Sequence, residues 1–594
     1  MGFKYIVPSR IENLRLDKKK SIMLGHWCAN YQPNKKRILY NNILNHPWNN
    51  RLTFEKDFIK IQNLYEKNLI NLKNVLNKNL KKNYSLRFWR ILIGPWLNLF
   101  LTLFFEKEIL IKKFLKLKKI KLIKFQYIRK NFITSDHLSF FNISATDEWH
   151  YYFFLDMLEN YERLNDIKNI NYETKKTFIK KPNFIHKKQN FFSNIKTLNH
   201  FNKNLKVIFF DTYLSKKEKI YLSLKNFQFF KLNFPKIYLS PEPNIHLREK
   251  IIKKNITKNF PNSILFRQIL LNIPINYLEN FNQIGSDIKN SNLPLKPKVV
   301  FTTNGLYLNP LKSRYVAELI EGGTKLVHGQ HGGNYGNLKQ NFFENHEIKI
   351  ADYYLTWGWK NRNNKIKNFG VFLNFEKINR KTSSKRNLDK ILIVTILGRR
   401  YLRNLQSLTT NIAERHNYLY KFLPKIIEKI KLNLRKKIIV RTYDAKPSLG
   451  WNFKPFLKNK FKNIEINGKP DRTEYEKLIN KSKIVVVTVF STVFFECLLA
   501  NVPTILVLPA SKRIFNQKTI KFINMLEREN IYFSDTNSAA KFINNNWNNI
   551  DNWWYNNKTQ EVIKIFTKAF AKKNANLIFE IQKLFEKLKK NEKI

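Results

Sequence analysis

Residues 485–505 read V-V-V-T-V-F-S-T-V-F-F-E-C-L-L-A-N-V-P-T-I, and this stretch decides the fold. An apolar run rich in valine stops at Ser491-Thr492, a helix is expected from Thr492 to Ala500, and a second apolar run follows Pro503. Strand, turn, helix and strand in that order make a βαβ unit, and a strand apolar on both faces belongs in a parallel sheet covered on both sides. The break has chemical content as well. Hydroxyls and free backbone N–H groups at a helix N-terminus form an anion site, worth roughly 0.3–1 kcal/mol from the dipole alone. Ser491 and Thr492 are therefore candidates to hold a phosphate, and Glu496, one turn on, to accept hydrogen bonds from a ribose diol. Taken singly, each is equally an N-cap residue or a solvated glutamate.

The same alternation extends outward. Before this unit come K-I-L-I-V-T-I-L-G (390–398), a helix over about 413–433, and K-K-I-I-V-R-T-Y (436–443), whose Arg441 would aim a guanidinium at the same crevice. Further upstream are K-V-I-F-F-D-T-Y (206–213), K-V-V-F-T-T-N-G (298–305), a helix at 313–321, T-K-L-V-H-G-Q (324–330) and A-D-Y-Y-L-T-W-G (351–358). Short strands are expected at 4–7 and 21–24, helices from 54 to 130, and loop or weak helix near 165–205. The expected fold is α/β, with two Rossmann-like domains facing across a cleft and extra N-terminal helices. Residues 1–360 form the first domain with its helical insertion, 361–388 a polar linker, and 389–594 the second domain with a C-terminal helix that packs back.

The 594 residues carry 108 Lys+Arg against 44 Asp+Glu, a formal charge of +64. The excess is mostly lysine, comes with abundant Asn, Ile and Phe, and is spread along the chain. That is the pattern of compositional bias, so no specific nucleic-acid partner is expected. Attraction to anionic membrane surfaces is expected at low salt. Two cysteines exclude a disulfide framework and an all-cysteine metal site. The N-terminus M-G-F-K-Y-I-V-P-S-R has no apolar core of signal-peptide length, so the expected residence is cytoplasmic, with peripheral contact at the inner face of the membrane. The run S-L-R-F-W-R-I-L-I-G-P-W-L-N-L-F-L-T-L-F-F (85–105) is interrupted by Gly94, Pro95 and Asn98. It reads as a buried core helix, with an interfacial segment as the alternative and no transmembrane span.

Only 16 glycines occur in the chain, yet four stand at 329, 332, 333 and 336 in G-Q-H-G-G-N-Y-G. Gly332 and Gly333 would let the backbone approach a ligand closely, with Gln330 and His331 projecting into the space between domains. An imidazole there suits a general base or a phosphate contact. His328, inside the apolar strand, reads as a core residue. Together with His346 the two histidines lack any metal-binding motif, so no metal is expected. Asp211, ending V-I-F-F-D, is a second candidate base, or equally a turn cap.

On M-L-G-H-W-C (23–28), S-L-R-F-W-R-I-L-I-G-P-W-L (85–97), G-Q-H-G-G-N-Y-G (329–336), A-D-Y-Y-L-T-W-G-W (351–359) and F-S-T-V-F-F-E (490–496), the chain resembles a bacterial family of transferases associated with surface-polysaccharide assembly. That family resembles a divergent branch of the GT-B glycosyltransferases. The resemblance implies a donor nucleotide held by the second domain at Ser491, Thr492 and Glu496, an acceptor side in the first, and His331 near the transferred group. There are departures: Val489-Phe490 replaces the acidic residue or second serine often found in related glycosyltransferases, and H-P-W-N-N-R (46–51) carries asparagines where carboxylates would be expected.

The expected function is transfer of a sugar from a nucleotide-sugar donor, used as substrate with no cofactor, to a glycan or lipid-linked glycan of the cell surface. The alternatives are a glycerophosphotransferase or sugar epimerase using the same cleft, and a non-enzymatic basic protein binding nucleic acid or membrane surfaces.

Overall fold

The computed structural model describes residues 4–10, 21–28, 42–117, 120–165, 171–180, 202–235, 241–255, 263–372, 378, 388–396, 399–402, 405–406, 412–443, 449–468, 471–508 and 512–592. Among the described residues every pairing between named strands is parallel, in three sheets. The last sheet is built from β10 (Lys390–Ile396), β11 (Ile438–Tyr443), β12 (Glu465–Asn467), β13 (Ser482–Val487), β14 (Thr504–Val507) and β15 (Tyr532–Phe533). Its order is β12-β11-β10-β13-β14-β15. The strand order reverses between β10 and β13, and the crevice beyond the carboxyl ends of those two strands is where such sheets bind ligands. Val485, Val486 and Val487 of β13 are fully buried, as expected for a strand covered on both faces.

The middle sheet runs in sequence order through β5 (Val207–Phe209), β6 (Val299–Thr302), β7 (Lys325–Gly329), β8 (Tyr353–Thr356) and β9 (Ile366–Asn368). Because β9 lies within the expected 361–388 linker, the polar stretch begins as an edge strand of this sheet. Polar residues suffice there, since an edge strand shows one side to water. Residues 373–377 and 379–387 of that stretch, and the turn expected at 397–398, lie outside the described residues.

A further sheet of order β2-β1-β3-β4 contains the two short strands expected at 4–7 and 21–24 and adds two strands not expected from the sequence. It comprises β1 (Lys4–Val7), β2 (Ser21–Met23), β3 (Ile120–Gln126) and β4 (Asn171–Phe178). The helices expected up to residue 130 therefore end earlier, at Phe114: in I-K-L-I-K-F-Q the strand buries Ile120 and Leu122 on one face and Ile123 and Phe125 on the other. β4 falls in the stretch expected to be loop or weak helix; residues 166–170 and 181–201 of that region lie outside the described residues.

Two long helices, α1 (Arg51–Leu80) and α2 (Leu86–Phe114), pack on each other beside these sheets. Ser85 caps α2 through a hydrogen bond from Phe88 N–H. Trp89, Trp96, Phe100 and Leu103 are fully buried, so the apolar run is a core helix. It is long and apolar enough to cross a membrane, but its most apolar window is entirely covered by protein. Arg87 ties the start of α2 to Asp352 at 2.6 Å, and Asp352 also accepts Leu326 N–H at 2.8 Å. Two motifs that mark the resemblance are thereby joined, α2 to the junction of β7 and β8.

The expected helix over 413–433 is divided into Ile412–Asn417, a π-helical turn Tyr418–Phe422, and Leu423–Lys429. At the C-terminus, Asn557–Phe570 is followed by a second helix, Leu577–Lys589, which packs on β6 and on the helix Lys216–Asn226. Phe585 meets Phe301 at 5.6 Å, so the end of the chain packs against the middle sheet.

Candidate active site

The glycine loop leaves the carboxyl end of β7 and runs directly onto the last sheet's side of the molecule. Gly333 N–H donates to Thr492 Oγ1 at 3.2 Å. A Cβ on Gly333 would sit 2.3 Å from the Phe495 ring and 3.2 Å from Thr492 Cα, so no side chain fits. Gly336 has φ +74°, and a Cβ there would press into the Trp359 ring at 2.4 Å. These glycines admit protein rather than ligand. Beyond them the loop pairs with residues 514–516: Lys339 N–H donates to Ile514 O at 2.8 Å, and Asn516 N–H donates to Asn337 O at 2.9 Å. The halves of the molecule are joined here by backbone hydrogen bonds. The elements involved are α5 (Phe342–Ile350), which follows the loop, α7 (Thr492–Leu499), which follows β13, and α6 (Arg472–Asn480); α3 (Asp147–Asn165) and α4 (Pro310–Glu321) lie earlier in the chain.

His331 stands at the turn, its side chain 22% exposed. Its Nδ1 lies 3.2 Å from Glu347 Oε1, on α5. Tyr335 donates its hydroxyl to the same carboxylate oxygen at 3.0 Å and lies 3.2 Å from His331 Nε2. Tyr354 donates to Glu347 Oε2 at 3.1 Å, and His328 Nδ1 lies 3.7 Å from that oxygen. Burial alone would push the Glu347 carboxyl up, but His331, His328 and the hydrogen bonds from His331 and Tyr335 outweigh it and hold it below the ordinary carboxylate range. Burial pushes His328 down and, with the help of Glu347, pushes the Tyr335 and Tyr354 hydroxyls well up. The two hydroxyls therefore keep their protons beside an ionised carboxylate. A proton on Nδ1 would point to Glu347 and leave Nε2, which lies 3.2 Å from the Tyr335 oxygen, as the nitrogen able to take a proton from a hydroxyl.

The other expected residues divide. Ser491 caps α7 with its backbone, and its side chain makes no capping hydrogen bond. Its hydroxyl sits at the helix N-terminus beyond the carboxyl end of β13. Thr492 is there too, its oxygen occupied by Gly333. Gln330 does not project into the interdomain space. It is fully buried, its Nε2 donating to Gly332 O at 2.7 Å and its Oε1 accepting Trp357 N–H at 3.0 Å and Trp359 Nε1–H at 2.8 Å. An amide so fully engaged holds the loop to β8. At Gly332 a Cβ would press on Asn334 Oδ1 at 3.1 Å and on the Tyr335 ring at 3.3 Å.

Glu496 is a correction of the same kind. Its side chain is 3% exposed; Arg472 Nη1 donates to Oε1 at 2.6 Å and Tyr475 OH donates to Oε2 at 2.7 Å. Both oxygens serve the packing of α6 on α7, so a ribose is not needed to satisfy them. Arg441 joins that cluster: its guanidinium lies 4.8 Å over the Tyr475 ring and donates to Asp471 O at 3.3 Å. Asp211 has φ +48° and is ion-paired with Lys312, while its carbonyl accepts Thr303 Oγ1–H at 2.9 Å. It is a turn residue next to the site, and Tyr213, two residues on, brings its ring to 6.5 Å from His331.

Sequence reasoning missed Glu347, Tyr335 and Tyr354. A signal existed in F-E-N-H-E (343–347), two carboxyls three residues apart on one helix immediately after the glycine loop. Glu344, the other of the pair, accepts Gly336 N–H at 2.7 Å and is pushed up to about 7 by burial. His346 is buried and pushed down to about 3, first by burial and then by Arg90. Among the described residues no group of three or more His, Cys, Asp or Glu is arranged to hold a metal ion.

The W-C motif serves the seam between the halves. Arg400, in the loop after β10, pairs with Asp147 at the start of α3 at 2.6 Å and donates to Trp27 O at 2.8 Å. His26 stacks on His416 with centroids 4.0 Å apart. In H-P-W-N-N-R, Asn50 Oδ1 caps α1 by accepting Leu52 N–H at 3.0 Å.

No curated protein matches the chain by sequence. Among solved structures, the wall teichoic acid polymerase TagF is similar at 13% identity and a TM-score of 0.31, over 67% of this chain and 91% of that one. MurG of Acinetobacter baumannii is similar at 13% identity and 0.30, over 49% and 74%. The S. aureus MnaA–UDP structure is similar at 9% identity and 0.33, over 79% and 96%. These scores are low, and the architecture stands on the strand pairings above. A family model, in contrast, matches residues 4–585, nearly the whole chain, and by it the protein belongs to the LIC12162 family of transferases.

Proposed function

We propose that the protein transfers a sugar from a nucleotide-sugar donor to a glycan acceptor of the cell surface, with His331 as general base. The observation that carries this reading is the His331–Glu347 pair, set at the carboxyl end of β7 where the glycine loop meets the start of α7. Glu347 orients the imidazole and stabilises the imidazolium, so Nε2 takes the proton of the acceptor hydroxyl as its oxygen attacks the sugar. The departing nucleotide phosphate is stabilised by the N-terminus of α7 and the Ser491 hydroxyl, at the point where the strand order of the last sheet reverses. The reaction runs without a cofactor, and activity is expected to survive chelation of divalent cations.

The test is a binding screen of CMP, UDP, GDP and ADP and their sugar conjugates at high salt, which suppresses unspecific anion attraction. A ligand at ~100 times its Kd adds about 2.7 kcal/mol of stability. One base stabilising the wild type and losing that effect in Ser491→Ala supports the reading and names the donor class. A flat response from folded protein, or transfer of glycerol phosphate rather than sugar from a labelled donor, overturns it.

A further inference from the structure

Past Gly336, at the far end of the glycine loop, the halves of the molecule leave a cleft of about 1170 Å³. Trp359, Phe515, Phe522 and Phe570 line it. So do Lys339, Lys360, Arg513, Lys518, Lys568 and Lys572, contributed by the glycine loop, the segment after β8, the helix α8 (Gln517–Arg528) with the turn before it, and α9 (Asn557–Phe570) with the residues after it. The acidic residue in the lining is Glu344, buried and bonded to Gly336 N–H. Lys339 is neutralised by Glu55 at 2.7 Å. Among the described residues no carboxylate lies within ion-pair distance of Lys360, Arg513, Lys518, Lys568 or Lys572.

This bias is steeper than the chain's own ratio of 108 to 44. Five cations gathered around one concavity repel one another, and that repulsion is relieved by an anion seated among them. Among the apolar residues of the lining, Ile565 on α9 is 37% exposed and Ile520 and Phe522 are half-buried, while Trp359, Phe515 and Phe570 are already packed in the core. The exposed apolar surface favours an apolar group. A free phosphate would leave that surface unused, and an uncharged chain would leave the cations unneutralised. We propose that this cleft binds a lipid phosphate, with its phosphate among Lys518, Lys568, Lys572 and Arg513 and its hydrocarbon along Ile520, Phe522 and Ile565. The site lies apart from His331 and does not depend on the reaction proposed above.

The test uses the full chain, calorimetric titration at about physiological salt, where a charge is screened beyond ~8 Å, and dodecyl phosphate below its micelle concentration as probe. Inorganic phosphate and dodecyl maltoside are the comparison ligands, and circular dichroism verifies the fold of each variant. Saturable binding of dodecyl phosphate alone is expected. It should weaken on the order of tenfold in the double variant Lys518→Glu/Lys568→Glu and in Ile565→Glu. It should persist in Lys425→Glu/Lys541→Glu, which carries the same charge change outside the cleft. Binding of inorganic phosphate or dodecyl maltoside with equal affinity, an equal loss in the control pair, or no binding of dodecyl phosphate overturns the proposal.

Discussion

Glu347 and Glu496 are two buried carboxylates, each on a helix near a strand's carboxyl end, one from each half of the molecule. Their partners differ. Glu496 is answered by Arg472, a permanent cation, and by Tyr475. Glu347 is answered by two imidazoles and two phenols, none of which carries a fixed charge. A proton can arrive at His331 and leave again with Glu347 stabilising the charged form, whereas a guanidinium never releases its proton under these conditions. The first arrangement suits proton transfer and the second suits bracing one helix against another.

The largest test of that contrast is His331→Asn. With the donor identified by the binding screen, its kcat is expected to fall about 10²–10⁴-fold, with the thermal midpoint unchanged. Glu347→Gln, which keeps a hydrogen bond but removes the charge, should cost a smaller 10–100-fold. Full activity in either variant would break the comparison.

Glu344 sharpens it, as a buried carboxyl with no cation within ion-pair distance among the described residues. Its native value of about 7 lies above its ordinary 4.5, so the folded protein keeps a proton there that the unfolded chain has released. Its neutral form is the one the fold accepts, and stability is lost as pH rises from 4.5 through 7. Glu344→Gln cannot ionise, so at pH 8 it should be the more stable protein by up to about 3 kcal/mol. That gap should vanish toward pH 4.5 in denaturant titrations. A gap that stays constant with pH would remove the argument.

The smallest expected effect belongs to Glu496→Gln. Weakening its hold on Arg472, which is half exposed and can turn to water, and on Tyr475 should cost about 2 kcal/mol. Nucleotide affinity is expected to hold wherever the variant is folded. Selective loss of nucleotide binding with unchanged stability would return Glu496 to the donor site.

The sequence drew attention to Glu496 and passed over Glu347. Glu496 stood out because strand, hydroxyls, helix and acid came in one continuous stretch, while Glu347 meets His331 only through the folding of α5 against β7. Gln330 and Gly333 were legible as unusual, but whether a glycine admits a ligand or a neighbouring helix depends on packing between distant segments. The apolar strands β5 to β8, β10, β11, β13 and β14 were plain, because burial on both faces leaves a continuous apolar run. β4 was not. Its N-Y-E-T-K-K-T-F lies largely exposed, and an edge strand needs no apolar pattern to pair.

One consequence of α2 concerns how the chain is made. Its cover includes α1, already synthesised when α2 emerges, but also α4 and α5, which follow about 200 residues later, roughly 10–40 s at translation rates of ~5–20 residues per second. For that interval a 29-residue apolar helix waits at the ribosome with much of its surface uncovered. Yield during synthesis should therefore depend on holding chaperones, and slowing translation after Phe114 should lower the soluble fraction without changing the stability of the finished protein.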